Sequence, residues 1–105
     1  MSNKNEEKFE ELKILVLNKI RNSDKQNPIT SRKLCNDLNL SFRLLKQLIT
    51  DLREDYAIVS KETNGGGYWL AETAEDVLMF INMITARRNG YDETIKKMEK
   101  HLKEI

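Results

Sequence analysis

The chain has 105 residues, of which 39% are hydrophobic and 33% are charged, and its formal net charge is +1. A chain of this length supports one domain, and the composition is typical of a soluble globular protein rather than of a disordered or collagen-like one. The near-neutral charge lacks the basic signature of many nucleic-acid binders, so any DNA surface must be a local patch.

The sequence offers little material for catalysis or metal binding. Cys35 is the single cysteine and so has no disulfide partner, and His101, the single histidine, lies too far along the chain for a local zinc pair. We expect Cys35 to be a small buried hydrophobe and His101 to be solvent-exposed. No nucleophile lies beside a base, so we expect no metal, no cofactor and no enzymatic activity. Without a signal sequence or a run of about 20 apolar residues, the chain is expected to be cytoplasmic and to make no membrane contact.

An amphipathic helix is predicted from Glu6 to about Asn22. Apolar residues recur there at intervals of three and four, which is the helical period. They are Phe9, Leu12, Leu15, Val16 and Ile20. Pro28 has no amide hydrogen and keeps the preceding residue out of helical conformation, so a loop and a short extended segment, Ile29-Thr30, are expected next.

Two shorter helices are predicted after this segment. Thr30 or Ser31 can cap the first, which ends at about Leu38, and Ser41 can cap the second, which ends at about Asp55. Their predicted apolar faces are Leu34, Cys35 and Leu38 in the first helix and Leu44, Leu45, Leu48, Ile49 and Leu52 in the second.

A β-hairpin is predicted from two β-rich runs, residues 57–61 and 67–71, with Asn64-Gly65 between them. Alternation along the second run places Tyr68 and Leu70 on one face and Trp69 on the other. We expect Trp69 to pack under the C-terminal helix; the alternative is a tryptophan that faces a partner. The glycines at 65–67 precede neither Lys-Ser nor a helix, so they indicate a tight turn and not a phosphate-binding loop.

The remainder of the chain is predicted to be helical from Thr73, which can act as an N-cap. Its apolar positions form a heptad seam, broken once by Arg88, and Asn89-Gly90 leaves open whether one helix or two carry it. An apolar seam of this kind must be covered by another surface, so we expect a homodimer. The alternative is that the segment that carries the seam folds back over the hairpin and the first helix of the same chain. The residues expected at the dimer interface are Ile84, Tyr91, Ile95, Met98, Leu102 and Ile105.

The order of these elements resembles that of winged helix-turn-helix proteins, and three segments are similar to the small winged-helix proteins encoded by phages and prophages of Gram-positive bacteria. The segments are Ile29-Thr30-Ser31-Arg32-Lys33-Leu34, Leu45-Lys46-Gln47-Leu48-Ile49-Thr50-Asp51-Leu52-Arg53 and Gly66-Gly67-Tyr68-Trp69-Leu70-Ala71. The resemblance implies a fold that is mainly α with a small antiparallel β-hairpin. It places a winged helix-turn-helix domain in residues 1–72, with the recognition helix at 41–55 and the wing at 57–71, and a long C-terminal helical extension in residues 73–105.

The resemblance also implies that the recognition helix lies in the major groove of double-stranded DNA while the wing reaches a neighbouring phosphate or the minor groove. Arg43 can chelate a guanine edge, Gln47 an adenine edge and Lys46 a phosphate. The residues expected to contact DNA are Arg32, Lys33, Ser41, Phe42, Arg43, Lys46, Gln47, Thr50, Arg53, Lys61 and Asn64.

Two classes of function therefore stay open. One is a DNA-binding transcriptional regulator or replication accessory factor of a phage or prophage, which the chemistry of the helix from Ser41 favours. The other is a winged-helix module that binds another phage or host protein without binding DNA. The near-zero net charge favours this second class, as do Asp51 and Glu54, which would repel phosphate.

Overall fold

The computed structural model describes the backbone of residues 4–61, 66–86 and 92–104, with side chains for 6–61, 66–86 and 93–104. The helices within these ranges are α1 Lys4–Arg21, α2 Ser31–Leu38, α3 Phe42–Leu52, α4 Ala74–Thr85 and α5 Asp92–Leu102, and the strands are β1 Ile58–Lys61 and β2 Gly67–Leu70. The described chain is mainly helical with a small two-stranded antiparallel sheet, as the sequence predicts.

Side-chain caps start three of the helices. The hydroxyl oxygens of Thr30, Ser41 and Thr73 accept hydrogen bonds of 3.1, 3.1 and 3.2 Å from the backbone amide three residues further on. Each cap satisfies an amide of the first turn that has no helical partner, which confirms these predicted N-termini. Asn39 ends α2 in the left-handed conformation, with φ 54°, and lets the chain turn into α3.

The hairpin forms a middle layer between two hydrophobic clusters. Ile58 belongs to the cluster built by α1, α2 and α3, whereas Val59 belongs to the cluster built with α4 and α5. In β2, Tyr68 packs against the first cluster and Trp69 is buried in the second. Successive side chains of a strand point to opposite faces, so the predicted alternation and the predicted burial of Trp69 are both confirmed.

The extended segment before α2 pairs with the free edge of β2. Ile29 and Tyr68 exchange two backbone hydrogen bonds, of 3.1 and 2.7 Å. The pairing brings Pro28 against Gly67, where a Cβ atom would lie 2.5 Å from the Pro28 Cβ. A glycine is therefore needed at the start of β2.

One residue on the apolar face of α1 was predicted wrongly. Leu15 is 46% exposed, whereas its neighbours Val16 and Leu17 are buried. Residues 14–17 are four consecutive apolar residues, so helical periodicity alone does not decide which of them face the core.

The C-terminal third folds back onto the rest of the chain as two helices packed against each other, rather than as one long helix. Met98 of α5 is fully buried in the cluster that contains Trp69 and the apolar face of α4. Among the residues expected at a dimer interface, Ile84 is also buried in this cluster, and Ile95 and Leu102 pack against it. Tyr91 and Ile105 lie outside the described residues. The apolar seam is thus covered largely within one chain, which removes the main reason to expect a homodimer through it.

Candidate nucleic-acid interface

The helix α3 presents one mainly polar face to solvent, which we call the outer face. It comprises Phe42, Arg43, Lys46, Gln47 and Thr50, all of which are exposed. The buried positions of α3 are Leu45, Leu48, Ile49 and Leu52. The buried face agrees with the predicted apolar face except at Leu44, which is only partly buried.

Two cations of the outer face are unpaired. Within the described residues, neither Arg43 nor Lys46 takes part in an ion pair or a side-chain hydrogen bond. Arg43 and Lys46 give the outer face two positive charges, and Gln47 adds an amide that can both donate and accept hydrogen bonds. This combination suits contact with phosphates and with base edges.

Asp51 and Glu54, two acidic residues near this face, are neutralised by cations from other helices. Lys13 of α1 binds the carboxylate of Asp51. Lys97 of α5 lies 3.0 Å from the carboxylate of Glu54, and Lys100 lies 3.8 Å from it. The hydrogen bond from Lys97 holds the pKa of Glu54 below its ordinary value. The phosphate repulsion expected from these two acids is therefore offset locally.

Arg53, which was expected to contact DNA, is turned into the fold. Its Nε donates a hydrogen bond of 2.9 Å to the Ile58 carbonyl, and its guanidinium carbon lies 4.9 Å from the centroid of the Phe80 ring. The helical pattern places Arg53 on the outer face, but α3 ends at Leu52, and β1 and α4 then pass beside it. The guanidinium thus joins α3, the hairpin and α4, which corrects its expected role in DNA contact.

His101, predicted to be exposed, is 2% exposed. Its Nε2 donates to the Arg53 carbonyl over 2.8 Å, because a carbonyl oxygen can only accept. Its Nδ1 lies 3.0 Å from a carboxylate oxygen of Glu104. The prediction failed because the contact joins residues 48 positions apart, and no local pattern indicates it.

Two lysines of α5 bind the same end of α3. Lys97 Nζ donates to the Thr50 carbonyl over 3.0 Å, and Lys100 Nζ donates to the Glu54 carbonyl over 2.8 Å. Carbonyls at a helix C-terminus lack helical partners and carry partial negative charge, so cations stabilise them. Together with the hydrogen bond from His101, these two contacts tie α5 to the C-terminal end of α3.

The other residues expected to contact DNA are distributed over neighbouring elements. Arg32, at the start of α2, is exposed and has no ion-pair partner among the described residues. Lys33 and Lys19 both bind Asp37, at 3.2 and 3.1 Å, and lower its pKa. The hydroxyl oxygen of Ser41 is occupied as the cap of α3.

The structure describes only part of the contribution expected from the hairpin to this interface. Lys61 Nζ donates to the Lys25 carbonyl over 3.3 Å, so this ammonium group is already in contact with backbone. Asn64 lies outside the described residues, as does most of the predicted turn.

Other kinds of site have little support in the described chain. No cluster of three or more metal-ligating His, Cys, Asp or Glu side chains occurs among the described residues. Cys35 is buried as predicted, and burial raises the pKa of its thiol and so keeps it protonated. None of the described helices combines the length and apolarity needed to cross a membrane.

Comparisons with known proteins found no matching family model, no similar curated protein and no similar solved structure.

Proposed function

We propose that this protein is a winged helix-turn-helix DNA-binding protein that places the outer face of α3 in the major groove. One observation carries the proposal: Arg43 and Lys46 are exposed and unpaired beside Gln47, while Asp51 and Glu54 are neutralised by lysines from other helices. The surface is therefore locally positive despite a formal net charge of +1 for the whole chain.

The arrangement of helices supports the same proposal. A short helix, a left-handed turn at Asn39 and a second, longer helix precede an antiparallel hairpin, which is the order of a winged helix-turn-helix domain. In such a domain the N-terminal residues of the second helix reach base edges. Arg43 would then bind guanine, Gln47 would bind adenine, and Lys46 and Arg32 would bind phosphates. The biological role that fits is regulation of transcription or assistance to replication in a phage or prophage.

The proposal is tested by fluorescence anisotropy with a labelled random-sequence duplex and with duplexes selected from a random library, each titrated with salt. Phosphate contacts make affinity fall as salt rises. Arg43→Ala should reduce affinity for the selected duplex by roughly 1–3 kcal/mol, and Lys46→Ala should lower the salt slope by about 1. Both variants should keep the wild-type melting temperature because both side chains are exposed.

Lys8→Ala is the matched control, because it removes one exposed, unpaired cation from α1 rather than from the outer face. Equal losses in Lys8→Ala and Lys46→Ala would indicate only general attraction of a cation to DNA. If the wild-type protein has no salt-sensitive affinity for any duplex, the proposed function is wrong.

A protein-interaction module is the second candidate. Leu78 and Met79 are adjacent on α4 and both are about half exposed, and Ile14 and Leu15 form a similar pair on α1. Exposed apolar pairs of this kind suit a protein partner, and they leave the outer face of α3 unused. Failure of DNA binding in the salt titration would favour this candidate.

A homodimer would fit DNA binding because two copies can read paired half-sites. Light scattering at high micromolar concentration tests it. A monomer under those conditions would agree with the burial of Ile84 and Met98 within one chain.

A further inference from the structure

The outer face carries one large apolar side chain among its polar ones. Phe42 is the first residue of α3, and its side chain is 59% exposed. The other large hydrophobic residues that are exposed in the described chain lie on α1 and α4 and not on α3. Phe42 therefore adds an apolar group to a surface that is otherwise suited to DNA.

The position of Phe42 is fixed by local structure. Ser41 caps α3 through the Leu44 amide, so the helix begins at Phe42 and its first turn is held in place. Residues four apart lie on the same side of a helix, so Phe42 and Lys46 are neighbours, and Arg43 directly follows in the same turn. The ring thus lies at the end of α3 that would enter the major groove under the proposed function.

The chemistry of this neighbourhood limits what the ring can meet. Two unpaired cations beside it favour a polyanion, and duplex DNA is the polyanion into whose major groove a helix fits. Among the groups at the major-groove edges of the bases, the one alkyl group is the C5-methyl of thymine. That methyl group is the most favourable contact for an aromatic ring near the base edges, because the contact removes apolar surface of both groups from water.

We infer that Phe42 packs against a thymine methyl group and so makes the protein specific for a thymine at one position of its target. The inference rests on the proposed function and deepens it. Arg43, Gln47 and Phe42 would then provide three kinds of base contact from the outer face of α3: to guanine, to adenine and to thymine.

The size of the effect follows from the group that is removed. Replacing thymine by uracil deletes one methyl group and leaves the Watson–Crick hydrogen bonds unchanged. From the burial of a group of this size, we expect the affinity of the wild-type protein to fall about three- to five-fold at the contacted position.

The test uses a fluorescein-labelled duplex selected from a random-sequence library with the wild-type protein, and a series of duplexes in which each thymine in turn is replaced by uracil. We expect one replacement to weaken binding of the wild type and to have no effect on Phe42→Ala. Phe42→Leu should retain part of the sensitivity, because leucine can also cover a methyl group. Leu78→Ala, which truncates an exposed apolar residue of α4, should retain all of it.

The outcomes separate the inference from the function on which it rests. If no duplex is bound by the wild type, the proposed function fails. If a duplex is bound but no thymine is sensitive, or if Phe42→Ala is as sensitive as the wild type, the inference fails and DNA binding stands. Circular dichroism spectra of the three variants that match the wild type would assign the differences in affinity to the contact and not to misfolding.

Discussion

Replacing Gly67 by alanine should destabilise the fold strongly, because two requirements meet at this residue. Gly67 has φ 145°, a conformation that residues with a Cβ rarely adopt. An added Cβ would also lie 2.5 Å from the Cβ and 2.8 Å from the Cγ of Pro28. The Pro28 ring cannot move away easily, because the next residue, Ile29, is hydrogen-bonded to Tyr68 in both directions.

The magnitude combines strain with overpacking. A non-glycine residue in such a conformation costs about 1–3 kcal/mol. Forcing an extra carbon into a closely packed contact costs a further 1–3 kcal/mol or so. We therefore expect Gly67→Ala to lower the free energy of unfolding by about 2–6 kcal/mol, a large part of the 5–15 kcal/mol typical of a domain. Gly66→Ala is the control: at φ 74° its added Cβ would meet, among the described residues, only the Lys61 carbonyl, at 3.0 Å, so a loss of about 1–2 kcal/mol is expected.

The assay is urea denaturation followed by the fluorescence of Trp69, the single tryptophan of the chain, which is buried two residues along the same strand. The free energy of unfolding is obtained by linear extrapolation to zero urea. If the free energy of unfolding of Gly67→Ala equals that of the wild type, the reasoning is refuted, because Pro28 must then move aside without loss of stability. Equal losses in the two glycine variants would show that contact with Pro28 is not the cause.

Three further predictions concern the core, the pH dependence and the size of the folding unit. Met98→Ala should lower the free energy of unfolding by roughly 2–5 kcal/mol in the same urea assay, because Met98 is fully buried; an unchanged value would place α5 outside the core. Lys19 and Lys33 lower the pKa of Asp37, so this carboxylate stabilises the fold above its unfolded pKa of about 4, and the stabilisation is lost as pH falls through the lower folded pKa. Thermal melts from pH 6 to pH 2 should show less loss of stability in Asp37→Asn than in the wild type, and identical profiles would contradict this. A chain that ends at residue 72 lacks α4 and α5, which bury Trp69, so it should show no cooperative unfolding transition by circular dichroism. A sharp transition would contradict the inference that these helices belong to the same core as the hairpin.

The elements of the fold were predictable where their signals are local. Thr30, Ser41 and Thr73 each cap a helix through an amide three residues away, so both partners lie within one short stretch of sequence. The alternation of Tyr68 and Trp69 in β2 is equally local, and it placed both side chains on the correct faces.

The errors at Arg53 and His101 concern residues whose surroundings are set by distant parts of the chain. Arg53 continues the exposed pattern of α3 in sequence, yet Ile58 and Phe80 draw its guanidinium into the fold. His101 lies between a lysine and a leucine, and its burial depends on the return of α5 to the end of α3. The exposed residues of the candidate site, Arg43 and Lys46, were easier to place because the buried face of α3 defines the opposite one.

Two clusters that share one hairpin have a consequence for how substitutions combine. Ile58 and Val59 are bonded neighbours, and neighbouring residues usually give coupled effects on stability. Their side chains enter different clusters, so truncating both should cost close to the sum of the separate losses. Val59 and Met98, by contrast, lie 39 positions apart in the sequence and share one cluster, so their effects should be coupled. In this small sheet, two substitutions are expected to be coupled when their side chains lie on the same face of the sheet, and not because the residues are adjacent in the sequence.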